Sequence, residues 1–78
     1  MNTEKRLKLV FSKLFGIKES EIGKDSSPDN IDSWDSLNHM NLIIAIEQEF
    51  NINFSIEEIV EMLNFELIVL ILNKKVDE

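Results

Sequence analysis

The chain has very few residues that can reverse the backbone sharply: its 78 residues include two glycines and one proline. Tight β-hairpins depend on such residues, and sheets built from short strands need many hairpins. The composition therefore favours helices joined by a few longer connections. A chain of this length forms one small domain, which we expect to span residues 1–78.

Apolar residues recur at helical spacing in the first half of the chain. One stripe predicts a helix over residues 4–15, with Thr3 as its N-cap and Gly16 as its C-terminal stop. A second amphipathic helix is expected to begin at Asp35 or Ser36 and to end near residue 50. Two long helices thus flank a connection of about 20 residues.

Capping signals predict two further helices. Ser55 and Glu58 form a capping box that opens a short third helix ending near Leu63. Asn64 can cap a fourth helix over about residues 65–74. The sequence thus predicts an all-α fold, a small four-helix bundle with three long helices, a short third helix and a long loop between helices 1 and 2.

The long loop shows no sustained helical or strand periodicity, but apolar residues are spaced along it. These residues are expected to pack against the bundle and hold the loop in place as apolar pins: Ile17, Ile22, Ile31 and Trp34. The fourth helix presents a different problem, because its run Leu67–Leu72 is apolar on every side. Its expected core residues are Phe65, Ile68, Val69 and Leu72. Three apolar residues then remain outside the core: Leu67, Leu70 and Ile71. They would contact a partner, mediate self-association, or be covered by helix 3 and the loop.

Charge is distributed unevenly along the chain, whose net charge is −7. Residues 1–24 hold six basic and three acidic side chains, whereas residues 25–73 hold ten acids and no Lys or Arg. Such a surface opposes binding to nucleic acid and anionic lipid and favours partners that present basic residues. No apolar run approaches the length of a membrane span, and no signal peptide is visible, so we expect a cytoplasmic, monomeric protein.

Three chemical interpretations fail on residue type and spacing. Without cysteine and with one histidine, the chain lacks the ligands of a thiolate or histidine-rich metal site. Asp35, Ser36 and His39 lie within one helical turn and cannot form the geometry of a hydrolytic triad. An EF-hand reading of the loop from Asp25 places Ser36 where the bidentate glutamate should be. We therefore expect neither a hydrolytic site nor a metal site.

The segment Asp35-Ser36-Leu37, which opens a helix ending in Glu47-Gln48-Glu49-Phe50, resembles the phosphopantetheine attachment motif of acyl carrier proteins. The likeness covers nearly the whole chain, including Gly16, the pinned loop and the Glu57-Glu58 start of the short third helix. The helix start has the sequence Trp-Asp-Ser-Leu-Asn-His, and helix 2 holds few acidic residues. In both respects the chain is similar to free-standing carriers of specialised pathways, such as polyketide, peptide or modified-sugar systems.

The resemblance implies the function of a carrier that is not itself an enzyme. Ser36 would receive 4′-phosphopantetheine from coenzyme A through a phosphopantetheinyl transferase, with Asp35 and Leu37 completing the attachment motif. The arm would carry acyl or aminoacyl groups as thioesters and present them to loading and transferring enzymes. Docking is expected through Met40, through His39 as an exposed residue, and through Glu47. An acyl pocket between helices 2 and 3 would be lined by Ile46, Phe50, Phe54, Ile59 and Met62.

A second hypothesis remains open at this stage. The chain could be a small acidic helical interaction module in which Ser36 only caps a helix, because most serines at helix starts serve as caps.

Overall fold

The structure, a computed structural model, describes residues 3–76; residues 1–2 and 77–78 of the expected domain lie outside this range. Within it there are four α-helices and no strand: α1 Thr3–Phe15, α2 Ser36–Phe50, α3 Ile56–Val60 and α4 Phe65–Val76. A 3₁₀ turn at Glu19–Glu21 lies in the connection between α1 and α2. The predicted all-α bundle with one short third helix is confirmed.

The core forms where α1 packs against α2 and α4. The Phe11 ring lies at its centre and makes edge contacts with Trp34 at 5.3 Å and with Phe65 at 5.1 Å between ring centroids. Edge-to-face pairs of this kind add to the stabilisation gained from burying the rings. The apolar stripe of α1 is therefore joined directly to the loop and to α4.

Burial along α4 follows the predicted division. Phe65, Ile68 and Leu72 are buried and Val69 is half-buried, while Leu70 is 56% exposed. Leu67 and Ile71 are half-buried. None of the helices within residues 3–76 has the length and apolar character needed to span a bilayer.

Two helix boundaries differ from prediction by one or two residues. Thr3 is the first residue of α1 rather than its N-cap, and α4 continues to Val76 instead of ending at Lys74. Lys74 and Lys75 still lie in the last turn of α4, where positive charge complements the negative end of the helix dipole.

The predicted end of helix 3 at Leu63 is wrong, because α3 ends at Val60. The chain turns there so that the Phe65 N–H can donate to the Ser26 carbonyl oxygen at 2.8 Å. Met62 is buried in the turn, and Asn64 caps α4 as expected by accepting the Leu67 N–H at 2.8 Å. A contact with the long loop thus shortens this helix.

The long loop is ordered by its apolar pins, as predicted. Ile22, Ile31 and Trp34 are buried, and Ile17 is half-buried against the core. Ser26 is buried as well, and its Oγ accepts the Gly23 N–H at 2.9 Å. The loop therefore reaches the start of α2 along a defined path.

Candidate functional site

The start of α2 is fixed by Asp35. Its backbone is extended, and its Oδ1 accepts the Asn38 N–H at 2.8 Å, which makes Asp35 the N-cap. Ser36 is the first helical residue, its side chain is exposed, and its Oγ forms no hydrogen bond within residues 3–76. The hypothesis that Ser36 itself caps the helix is therefore wrong, since Asp35 takes that role and leaves the serine hydroxyl uncommitted.

Trp34 holds this helix start in place. Its side chain is 2% exposed and packs against the rings of Phe11 and Phe15. Asn38 adds a second tie by donating from Nδ2 to the Ser33 carbonyl oxygen at 2.7 Å. An exposed hydroxyl is thus presented two residues after a buried anchor.

An apolar groove of about 660 Å³ opens beside Ser36, between the start of α2 and α3. Its walls come from the end of the loop, from the first turns of α2, and from α3 with the turn that follows it. The lining residues are Pro28, Trp34, Asp35, Ser36, His39, Met40, Ile59, Val60, Met62 and Leu63.

The five residues predicted to line an acyl pocket fall into two groups. Ile59 and Met62 line the groove at Ser36. Ile46 is fully buried in the core, while Phe50 and Phe54 are half-buried and pack against it. The groove is therefore closer to the surface than the predicted pocket.

Sequence reasoning did not identify Pro28, Val60 or Leu63 as part of this groove. Val60 and Leu63 are 68% and 65% exposed although they are large and apolar. The available signal was that the third helix was expected to be short, because a short helix can bury little of its own surface.

Other large apolar side chains of α2 and α3 are also exposed. Leu37 is 72% exposed, and Met40 and Ile44 of α2 are each about half exposed, at 48% and 50%. On α3, Ile56 is 79% exposed. Together with Val60 and Leu63, these residues form an exposed apolar strip along α2 and α3.

The expectation that His39 is exposed is wrong. The residue is half-buried, and its ring stacks on the Trp34 indole with 6.1 Å between the ring centroids. The indole Nε1–H donates to His39 Nδ1 at 3.0 Å, and His39 Nε2 lies 3.3 Å from the Ile59 carbonyl oxygen. Both ring nitrogens have partners within the protein because the side chain lies between the loop and α3.

Glu47 also makes an internal contact. It is half-buried, and its Oε2 accepts the Phe54 N–H at 2.9 Å, which ties the end of α2 to the segment that leads into α3. Met40, the third residue predicted to dock partners, is the one whose side chain is open to solvent.

The first turn of α3 is held by Glu58. Its Oε1 accepts the Ser55 N–H at 2.8 Å and lies 2.9 Å from Lys75 Nζ on α4. The hydrogen bond from the Ser55 backbone, followed by the contact with Lys75, lowers the pKa of the Glu58 carboxyl from its ordinary value. This capping box, predicted from the sequence, thus also joins α3 to α4.

The acidic loop shows no arrangement of ligands for a cation. Asp25 and Asp29 are exposed, and the Asp25 carbonyl oxygen accepts a hydrogen bond from Asn30 at 2.9 Å. In residues 3–76 no three His, Cys, Asp or Glu side chains are placed together to hold a metal ion.

Comparison with known proteins assigns this arrangement to a family. No family model matches the chain. A curated relative, the acyl carrier protein of Buchnera aphidicola subsp. Schizaphis graminum (strain Sg), is 42% identical over 57 residues, which cover 73% of this chain and 72% of the relative. The helical bundle agrees with this similarity. The chain therefore belongs to the acyl carrier protein family, and it is a non-catalytic carrier.

Proposed function

We propose that Ser36 carries 4′-phosphopantetheine and that the protein presents thioester-bound cargo to partner enzymes. The observation that carries the proposal is the exposed, uncommitted hydroxyl of Ser36 at the first residue of α2, beside the apolar groove. A residue that only capped the helix would use its oxygen on a backbone N–H, as Asp35 does here.

The attachment is a phosphoryl transfer at the Ser36 oxygen. That oxygen forms a bond to the phosphorus of coenzyme A that bears the pantetheine arm. The bond from this phosphorus to the adenosine bisphosphate oxygen breaks, and the hydroxyl proton passes to a base of the transferase. No oxidant or reductant is needed, and the chain supplies only the nucleophile.

The helix start suits a phosphodiester. The first N–H groups of a helix lack intrahelical partners, and the dipole places partial positive charge there. Asp35 occupies one of these donors, the Asn38 N–H, and an anion on the exposed Ser36 side chain would lie at the same end of α2. Once bound, the arm supplies the thiol that a chain without cysteine cannot provide.

We further propose that the cargo is an acyl group in a specialised pathway, with an aminoacyl group as the second candidate. The groove beside Ser36 favours the acyl group, because its walls are mostly apolar and include Met40, Val60 and Leu63. A polar aminoacyl group would gain little from such walls.

The proposed partners are a phosphopantetheinyl transferase and the enzymes that load and receive cargo. The absence of Lys and Arg from residues 25–73 favours basic surfaces on those partners. The exposed apolar strip, which includes Leu37, Met40 and Ile44, supports contact close to the serine. We also propose that the carrier acts in the cytoplasm, where coenzyme A and such enzymes would be available to it, and that it acts as a monomer.

The attachment is tested by intact-mass measurement after incubation with a promiscuous phosphopantetheinyl transferase and coenzyme A. We expect the chain to gain the mass of one phosphopantetheine and Ser36→Ala to gain none. Ser33→Ala is the matched control, because Ser33 is also exposed and lies three residues upstream. An unmodified wild-type chain, or modification of Ser36→Ala equal to that of the wild type, would contradict the proposal.

A further inference from the structure

The outer face of α4 carries three exposed side chains in a row. Glu66, Leu70 and Lys74 follow one another at intervals of four residues, a spacing that places them on the same side of a helix. Leu70 is 56% exposed, and the half-buried Leu67 and Ile71 lie beside it in the helix. The α4 row, as we call Glu66, Leu70 and Lys74, thus has an apolar centre with an acid on one side and a base on the other.

The two charges of the α4 row are not used within the protein. Neither Glu66 nor Lys74 forms an ion pair within residues 3–76, although Lys75, next to Lys74, pairs with Glu58. Side chains of one helix meet when they are three or four residues apart, whereas Glu66 and Lys74 are eight apart. Both charges and the exposed surface of Leu70 are therefore available to another molecule.

The order of the side chains makes the α4 row complementary to itself. A two-fold axis through Leu70, perpendicular to α4, brings the α4 of a second copy alongside in antiparallel orientation. Glu66 of each copy then lies opposite Lys74 of the other, and the two Leu70 side chains meet at the axis. One symmetry operation thus forms two ion pairs around an apolar contact, as in an isologous interface. A parallel arrangement would set like charges against each other, so the row favours the antiparallel pair.

α1 carries a similar row that cannot pair in this way. Leu9 is 41% exposed, and the residues four positions before and after it are Lys5 and Lys13, which are also exposed. The same two-fold operation on α1 would place lysine opposite lysine, and like charges repel. An exposed leucine alone therefore does not make a self-complementary surface, and α1 supplies a control within the same chain.

We propose that the α4 row pairs two copies of this chain in antiparallel orientation when the copies are held at high local concentration. Because α4 has 12 residues and is about 18 Å long, the area that it can bury is smaller than a stable dimer needs. We therefore expect a Kd on the order of 1 mM. At micromolar concentration the chain is a monomer, as in the proposed carrier role.

Pairing through α4 is compatible with the site at Ser36. No residue of α4 lines the groove beside that serine, so two paired copies use neither groove for their contact. Binding of several carriers side by side on one assembly supplies effective concentrations in the millimolar range, at which the pair would form.

The pairing is tested by NMR on the unmodified chain over a concentration series that spans the expected Kd. Salt is kept at about 0.15 M, where a Debye length of about 8 Å screens the repulsion between two chains of net charge −7. We expect translational diffusion to slow as the concentration rises and the amides of the α4 row to shift with the same Kd.

Leu70→Asp should remove this dependence, whereas Leu9→Asp, which changes the net charge equally, should keep it. A wild-type chain whose diffusion and α4 amides follow those of Leu70→Asp at every concentration would overturn the proposal. Loss of pairing in Leu9→Asp equal to that in Leu70→Asp would also contradict it.

Charge reversal distinguishes this pair from non-specific apolar clustering. Glu66→Lys leaves two lysines in the row and Lys74→Glu leaves two glutamates, so each variant alone should pair about tenfold more weakly than the wild type. An equimolar mixture of the two variants should recover the wild-type Kd, because one row then complements the other. The double variant, which keeps the net charge of −7, should recover it as well.

A mixture and a double variant that associate no better than the single variants would show that the antiparallel register is wrong. None of these measurements uses coenzyme A. A failed modification of Ser36 therefore leaves the test of pairing intact, and a failed pairing leaves the proposed attachment unaffected.

Discussion

Asp35 combines two roles that a single substitution can separate. Its oxygen caps α2 through the Asn38 N–H, and its negative charge lies next to the proposed nucleophile, Ser36. Asparagine caps helices about as well as aspartate, whereas alanine cannot accept the N–H. The capping role predicts an effect on stability, and the charge predicts an effect on the encounter with a basic partner.

We expect Asp35→Asn to leave the urea midpoint nearly unchanged but to raise the KM of a phosphopantetheinyl transferase, because the partner loses an attractive charge. The increase should shrink as salt rises, since the screening length is about 10 Å at 0.1 M. Asp35→Ala should show the same kinetic change and also lose about 1 kcal/mol of stability. Equal KM values for Asp35→Asn and the wild type at low salt would show that docking depends instead on apolar contact, for example through Leu37 and Met40.

At the scale of secondary structure, α3 is the one helix of residues 3–76 without a fully buried side chain, although Ile59 packs partly against the core. It exposes Ile56 and Val60, and the buried side chain nearest to it in sequence, Met62, belongs to the following turn. The Glu58 carboxylate therefore matters, because it closes the capping box and pairs with Lys75.

The lowered pKa of Glu58 predicts how this contribution depends on pH. Since the pKa is lower in the folded state, the stabilisation is present above the ordinary glutamate pKa of about 4.3 and is lost as the pH falls through the folded-state pKa. Glu58→Gln should lower stability at pH 7 by about 0.5 kcal/mol, as is usual for an exposed ion pair.

Urea unfolding at about pH 7 and at about pH 3.5 measures this difference. The gap between wild type and Glu58→Gln should be smaller at the lower pH, where the wild-type carboxyl begins to take up its proton. Glu57→Gln is the control, because Glu57 is exposed one residue away. A gap that is the same at both pH values would show that the charge of Glu58 does not support α3.

The whole molecule offers one groove beside Ser36 and a core that is already filled at Ile46 and Met62. A medium-length acyl chain on the Ser36 arm would therefore shelter first in the groove between α2 and α3. Burying about 50 Å² of apolar surface contributes about 1.3 kcal/mol.

We expect the octanoyl form to melt about 8 °C above the free-thiol form, the shift that such a contribution gives in a domain of this size. Val60→Asp should reduce the difference, because Val60 lines the groove, whereas Leu9→Asp on α1 should not, although it also replaces an exposed apolar side chain. Equal melting temperatures for the octanoyl and thiol forms would show that the cargo stays in solvent.

The sequence by itself determined the helices and the position of the serine. Local signals suffice for these features: the apolar period of α1, the capping box at Ser55 and Glu58, and the positive φ of 67° at Gly16 that a glycine stop requires. The proposed attachment site at Asp35-Ser36-Leu37 is likewise a local signal, because its residues are adjacent in the chain. The end of α2 is less clearly marked, since its C-cap is Asn51, a non-glycine residue with φ 56°.

Only the tertiary structure decided which polar side chains of α2 are engaged in contacts within the protein. His39 and Glu47 are polar residues of α2 that the sequence predicts to dock partners, yet each contacts a backbone group on or near α3. The early end of α3 likewise depends on a hydrogen bond from Phe65 to Ser26, 39 positions earlier in the chain. The periodicity of a sequence describes one helix by itself, whereas these contacts depend on the position of a second segment in the folded protein. For the long loop, that position is fixed by the burial of Trp34.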